Sequence, residues 1–124
     1  MKGWKASYLY GRGVARFYQK RYEVAMRLLE KAFELDPNNK HNELSCSYLG
    51  RSYLMVENFD KALELLSRSY ELYSSRRQAL QSELDRIEFL DTLKAFSHVL
   101  RRNHQIEKAQ DIERETMEFE SHKN

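Results

Sequence analysis

Cysteine and proline each occur once in this chain of 124 residues, glycine four times and tryptophan once. With Cys46 alone, an internal disulfide is impossible and a cysteine-rich zinc site is excluded. So little proline and glycine leaves scant material for turns, and long helices joined by short connectors are the natural outcome. No stretch approaches the ~20 apolar residues that a membrane span needs. The opening Met1-Lys2-Gly3-Trp4-Lys5 also lacks the apolar run of a secretory signal, so the expected location is cytoplasmic. A content of 32% charged and 41% hydrophobic residues suits one soluble helical domain spanning 1–124.

Catalytic constellations are missing as well. His41, His98, His104 and His122 are scattered, and no His-x-x-x-His pair exists to hold a metal. No serine sits in a Gly-x-Ser-x-Gly turn, and Gly11-x-Gly13 has no third glycine with which to form a phosphate loop. The expectation is therefore a non-enzyme with no metal and no cofactor.

What the chain does have is a pattern that comes round three times. Gly13, Gly50 and Ser97 each stand twelve residues before an alanine, Ala25, Ala62 and Ala109. Three residues before each alanine lies Tyr22, Phe59 or Ile106, and seven after it Ala32, Ser69 or Thr116. Four before the glycine or serine lies Leu9, Cys46 or Leu93, which makes Cys46 a buried structural thiol. Two antiparallel helices approach to the short end of the usual ~8–10 Å only where both present small side chains, and Gly or Ser against Ala supplies such a crossing. Each unit reads as a helix hairpin that buries its apolar stripe only by stacking on the next.

At these residues the chain resembles the tetratricopeptide repeat family. Ala6 to Asn39 is similar to one repeat from end to end, closing on Asp36-Pro37-Asn38-Asn39. Glu43 to about Arg76 resembles a second, with Leu49-Gly50, Tyr53, Phe59, Ala62 and Leu66 in register and Ser74 where the proline would stand. The third, Leu90 to about Lys123, departs further: Ser97 replaces glycine and Glu113 occupies a usually apolar site. The resemblance implies an all-α fold, three antiparallel helix hairpins stacked as a right-handed solenoid.

Expected helices run from about Trp4 to Gln19, Tyr22 to Leu35, His41 to Val56, Phe59 to Tyr73, Arg76 to Arg102 and Gln105 to Glu120, with Ser121-His122-Lys123-Asn124 frayed. The anchor alanines are 37 apart (62 − 25) and then 47 apart (109 − 62), so about ten residues enter before the third repeat. Leu80, Leu84, Ile87, Leu90, Leu93, Phe96 and Leu100 recur at steps of three and four, which predicts that 77–89 extends the fifth helix. At ~1.5 Å per residue that helix would be roughly 40 Å long. Its overhang would either pack on the fourth helix or expose Leu80 and Leu84 as a dimer contact.

Charge is unevenly spread. Residues 1–31 carry eight Lys/Arg against Glu23 and Glu30, or +6, whereas the remainder carries 13 against 17, or −4. Such polarity favours an acidic partner or head-to-tail contact between copies, with solvated helix faces as the bland alternative. The sixth helix, with six acids against Lys108 and Arg114, reads as a solubilising end cap. Eight tyrosines and six phenylalanines invite a nucleic-acid reading, but most fall on inward repeat sites, so nucleic acid is disfavoured as a partner.

By what the resemblance implies, the first helix of each hairpin lines a concave groove that takes a peptide or partner segment. Steps of four place Tyr10, Val14 and Tyr18, then Ser47, Arg51 and Met55, then Lys94, His98 and Arg102 on that surface, with Tyr48 and Asp91 at its margin. The groove would grade from apolar to cationic and suit a ligand with an apolar end and an acidic end. Members that grip acidic chaperone tails use lysine, asparagine and arginine at sites where this chain has Tyr10, Val14, Tyr48, Asp91 and Ala95, which argues against that specialism. The expected function is thus a non-catalytic adaptor or scaffold module for protein–protein interaction. The alternative is a self-assembling unit, a homodimer or weak homo-oligomer, in which basic first repeat meets acidic last helix.

Overall fold

Every hairpin of this chain turns on the same backbone joint. The structure is a computed structural model, and it describes residues 2–37, 42–80 and 82–121. Lys20, Glu57 and His104 hold positive φ values of 63°, 64° and 62°. The residue after each donates its N–H to a carbonyl five residues back, Arg21 to Arg16, Asn58 to Tyr53 and Gln105 to Leu100, all at 2.9 Å. This bond closes a helix on a left-handed residue and satisfies one of its orphan carbonyls. The three joints are spaced 37 and 47 apart, as the anchor alanines are.

The joints divide the described residues into six α-helices without a strand: α1 (Lys2–Tyr18), α2 (Tyr22–Leu35), α3 (Asn42–Met55), α4 (Phe59–Ser75), α5 (Glu83–Arg102) and α6 (Ile106–Ser121). Consecutive helices pair as three antiparallel hairpins, α1 with α2, α3 with α4 and α5 with α6, and the hairpins stack in chain order as a tetratricopeptide-type α-solenoid. The second helix ends at Leu35, two residues before Pro37; Asn38 and Asn39 of the expected turn, His41 and the tail from His122 lie outside the described residues.

Small residues sit at the crossings as their chemistry requires. A Cβ on Gly13 would stand 2.7 Å from Leu29 Cγ, and one on Gly50 2.8 Å from Leu66 Cγ and 3.2 Å from the Leu66 backbone nitrogen. The third crossing takes Ser97, whose hydroxyl donates to the Lys94 carbonyl at 3.0 Å. Ala25, Ala62, Ala109 and Cys46 are fully buried. Around them the core divides in two. Ala25, Leu29, Tyr48 and Leu49 knit the first two hairpins, and Leu66, Tyr73, Phe89, Leu93, Phe96, Leu100 and Ile112 knit the second and third.

The fifth helix corrects an expectation. It starts at Glu83 rather than Arg76, so its 20 residues span roughly 30 Å. Arg76 caps α4, Arg77–Ala79 form a single 3-10 turn, and Leu80 folds into the core instead of projecting. Ser82 then starts the new helix, its hydroxyl accepting the Asp85 N–H at 3.1 Å, with Glu83 and Asp85 favouring the positive helix end. Only 83–89 of the anticipated 77–89 extension belongs to α5, and of its apolar residues Leu84 and Ile87 are exposed.

Candidate functional site

Helices α1, α3 and α5 lie side by side, α1 against α3 and α3 against α5. This layer carries all ten residues expected to line a groove, but its own packing closes the middle. Ser47 is 1% exposed and shares a hydrogen bond of 2.6 Å with Thr92 of α5. Tyr48 is buried between neighbours on both sides: its hydroxyl bonds that of Tyr18 at 2.8 Å and donates to the Glu88 carboxylate, and its ring meets Tyr10 and Phe17 edge-on. Burial, then the hydrogen bonds to Glu88 and Tyr18, hold the Tyr48 hydroxyl far above the usual tyrosine range.

Arg51 is also withdrawn. Its guanidinium lies 4.3 Å above the Tyr48 ring centroid and 5.1 Å above that of Phe17, and it faces Glu88 at 3.8 Å and Asp91 at 3.6 Å. Two carboxylates against one guanidinium leave the centre of the layer without the net positive charge expected of it. Ser47, Tyr48 and Arg51 are therefore interior residues joining the second hairpin to the third. The physical reason is that helices packed at ~8–10 Å bury the flanks that face each other, whatever the spacing within one helix.

The other seven remain accessible to differing degrees. Tyr10 and Val14 are half-buried, and burial lifts the Tyr10 hydroxyl well above its ordinary range. Lys94 is exposed but leans toward α6, 3.8 Å from Glu120. Tyr18, at 62% exposure, Met55, at 55%, and exposed Arg102 occupy one repeat position at the C-terminal ends of the three helices.

At that end lies a cleft of about 490 Å³ lined by Leu54, Met55, Val56, Glu57, Phe59, His98 and Arg102. It brings together three of the expected residues, Met55, His98 and Arg102, and adds apolar walls from Leu54, Val56 and Phe59. The Arg102 guanidinium rests 4.8 Å from the Phe59 ring centroid. Phe59 went unnoticed as a site residue because it belongs to the second hairpin's outer helix. Its signal is positional: the turn at Glu57 drops it opposite the end of α5.

Among the described residues, no group of three His, Cys, Asp or Glu side chains is placed to hold a metal ion, and no helix is long and apolar enough to cross a membrane. Arrayed apolar and cationic groups in an open cleft suit reversible recognition of a side chain and a carboxylate. The family model described as the tetratricopeptide repeat matches residues 6–39. No curated protein matches the chain.

Proposed function

We propose that this chain, whose residues 6–39 match the tetratricopeptide-repeat model and whose six helices stack in the same way, is a non-catalytic protein-interaction adaptor that seats a partner segment along the exposed ends of α1, α3 and α5. The observation that carries the reading is the cleft between Met55 and Arg102, with Leu54, Val56 and Phe59 beside it. An apolar side chain fits that wall, and a carboxylate beside it would meet Arg102 and His98. Tyr18 extends the same row toward the first hairpin. The acidic end of the ligand is thus read by the third repeat alone, since Arg51 is already occupied by Glu88 and Asp91.

Head-to-tail self-assembly is less well supported. Four of the six acids of α6 that would meet a second copy are engaged within the chain: Asp111 with Arg114, Glu113 with Arg101, Glu115 with Tyr70 and Arg77, Glu120 with Lys94.

Selection of peptides from a displayed random library against the full chain tests the adaptor reading. Selected peptides should share an apolar residue near an acid, and Arg102→Glu should weaken them roughly tenfold, or about 1.4 kcal/mol. Peptides without an acid, or indifferent to Arg102→Glu, would sink it.

A further inference from the structure

The outward face of α1 carries the stacking positions of the solenoid with a different chemistry written on them. Positions 84 residues apart are equivalent in the first and third repeats (109 − 25). In α5, Phe89, Phe96 and Leu100 are buried, and α4 lies on them: Tyr73 meets Phe89 at 5.2 Å and Tyr70 meets Phe96 at 5.3 Å between ring centroids. The equivalents in α1 are Lys5, Arg12 and Arg16. Glu88 and Thr92, which meet α3, correspond to Trp4 and Tyr8. Trp4 is 59% and Tyr8 57% exposed.

Two further observations concern this face. No Asp or Glu occurs anywhere between Lys2 and Tyr18, and among the described residues no acid pairs with Lys5, Arg12 or Arg16. Arg12 instead lies 5.7 Å from the Tyr8 ring centroid, and Arg16 donates to Gln19 at 2.8 Å. Gly11, beside Trp4 and Tyr8 on the helix surface, has nothing within 4 Å of the place its Cβ would take. An aromatic and small-residue stripe is therefore flanked on one side by a rail of three bases.

We propose that this face of α1 docks an acidic amphipathic helix from a partner protein, laid antiparallel to α1, with carboxylates facing Arg16, Arg12 and Lys5. Charge complementarity selects this occupant. An apolar helix such as α4 would bury Lys5, Arg12 and Arg16 without counter-charges. A second copy's α1 would set like charges against them. Trp4 and Tyr8 supply the apolar contact and the bases set the register. The site is separate from the cleft at Arg102.

The test uses the full chain and Trp4, its sole tryptophan, as reporter. The probe is a synthetic helical peptide of Ala and Leu with Glu at i, i+4 and i+11, the spacing that faces Arg16, Arg12 and Lys5 in an antiparallel helix. A peptide with Lys at those positions is the control. The Glu peptide should shift Trp4 emission to the blue and saturate, whereas the Lys peptide should not. Arg12→Glu together with Arg16→Glu should weaken the Glu peptide roughly tenfold or more and admit the Lys peptide. Arg102→Glu should leave both results unchanged. Both reversed residues lie outside the core, and an unchanged thermal melt confirms the fold. No shift with the Glu peptide, or a shift that survives the double reversal, overturns the proposal. So does a shift driven by protein concentration alone, which would make the occupant a second copy. A shift with phosphatidylserine vesicles but not with the peptide would make it a membrane surface and overturn it too.

Discussion

The Tyr48 hydroxyl donates to the Glu88 carboxylate across the boundary between the second and third hairpins. Both residues are buried, and Glu88 also faces Arg51, at 3.8 Å. A carboxylate removed from water relies on such donors, so the bond and the ion pair act as a unit. In a double-mutant cycle, Tyr48→Phe and Glu88→Ala should couple by about 1 kcal/mol or more, measured by urea unfolding. Strictly additive losses would mean that the bond contributes nothing to the junction.

Gly11, Gly13 and Gly50 should respond to alanine in opposite directions. Gly11 has open space, so Gly11→Ala should stabilise by about 0.5–1 kcal/mol through helix propensity alone. At Gly13 and Gly50 a Cβ would overlap Leu29 or Leu66, and overpacking costs of about 1–3 kcal/mol exceed that gain. Gly50→Ala should be the worse, because it also crowds the Leu66 backbone, which moves less readily than a side chain. Melting temperatures of the three variants provide the comparison.

Tyr73 is fully buried, and its hydroxyl has no hydrogen-bond partner among the described residues. Burial, reinforced by the nearby charges of Glu88 and Glu43, holds that hydroxyl protonated far above the ordinary tyrosine range. Removing an unsatisfied buried group relieves its desolvation, so Tyr73→Phe should stabilise the chain by about 1 kcal/mol. A loss of stability in chemical unfolding would instead reveal a partner for the hydroxyl.

Alkali should weaken the fold in stages. Burial pushes the Cys46 thiol up to about 11, and burial with the Glu30 hydrogen bond pushes Tyr53 up to about 12. Both folded values lie above their unfolded ones. The unfolded chain therefore ionises first, and the stabilisation present below pH about 9 is lost as pH rises through the folded values. Cys46→Ala should remove the earliest stage, flattening the fall between about pH 9 and 11 by roughly 2 kcal/mol in urea titrations.

The sequence revealed the hairpins more readily than the site. Pro37 and the spacing of Ala25, Leu29 and Ala32 mark α2 to the residue, because a proline stop and an apolar stripe are both local. The start of α5 was obscured because Leu80 falls in step with Leu84 and Ile87, yet it packs from a turn. The competing signal, Ser82 three residues before Asp85, is a helix start that the periodicity hid. Arg51 illustrates the harder problem. Its helical face was legible, but its burial depends on Glu88 and Asp91, which reach it from another helix. Interactions between repeats are not periodic within one, so Phe59 beside Arg102 left no trace in the spacing.

Lys20, Glu57 and His104 have no chemistry in common, yet they adopt the same torsion at the same place in each hairpin. A left-handed residue other than glycine costs roughly 1–2 kcal/mol, and the chain incurs that cost three times with three different side chains. The bend is thus dictated by main-chain hydrogen bonding and is indifferent to what decorates it. The ten extra residues in the spacing of the third repeat fall outside the joint, whose bond keeps the same 2.9 Å there. A fourth hairpin grafted onto α6 would need only the same main-chain bond to turn, whatever side chain stood at its joint.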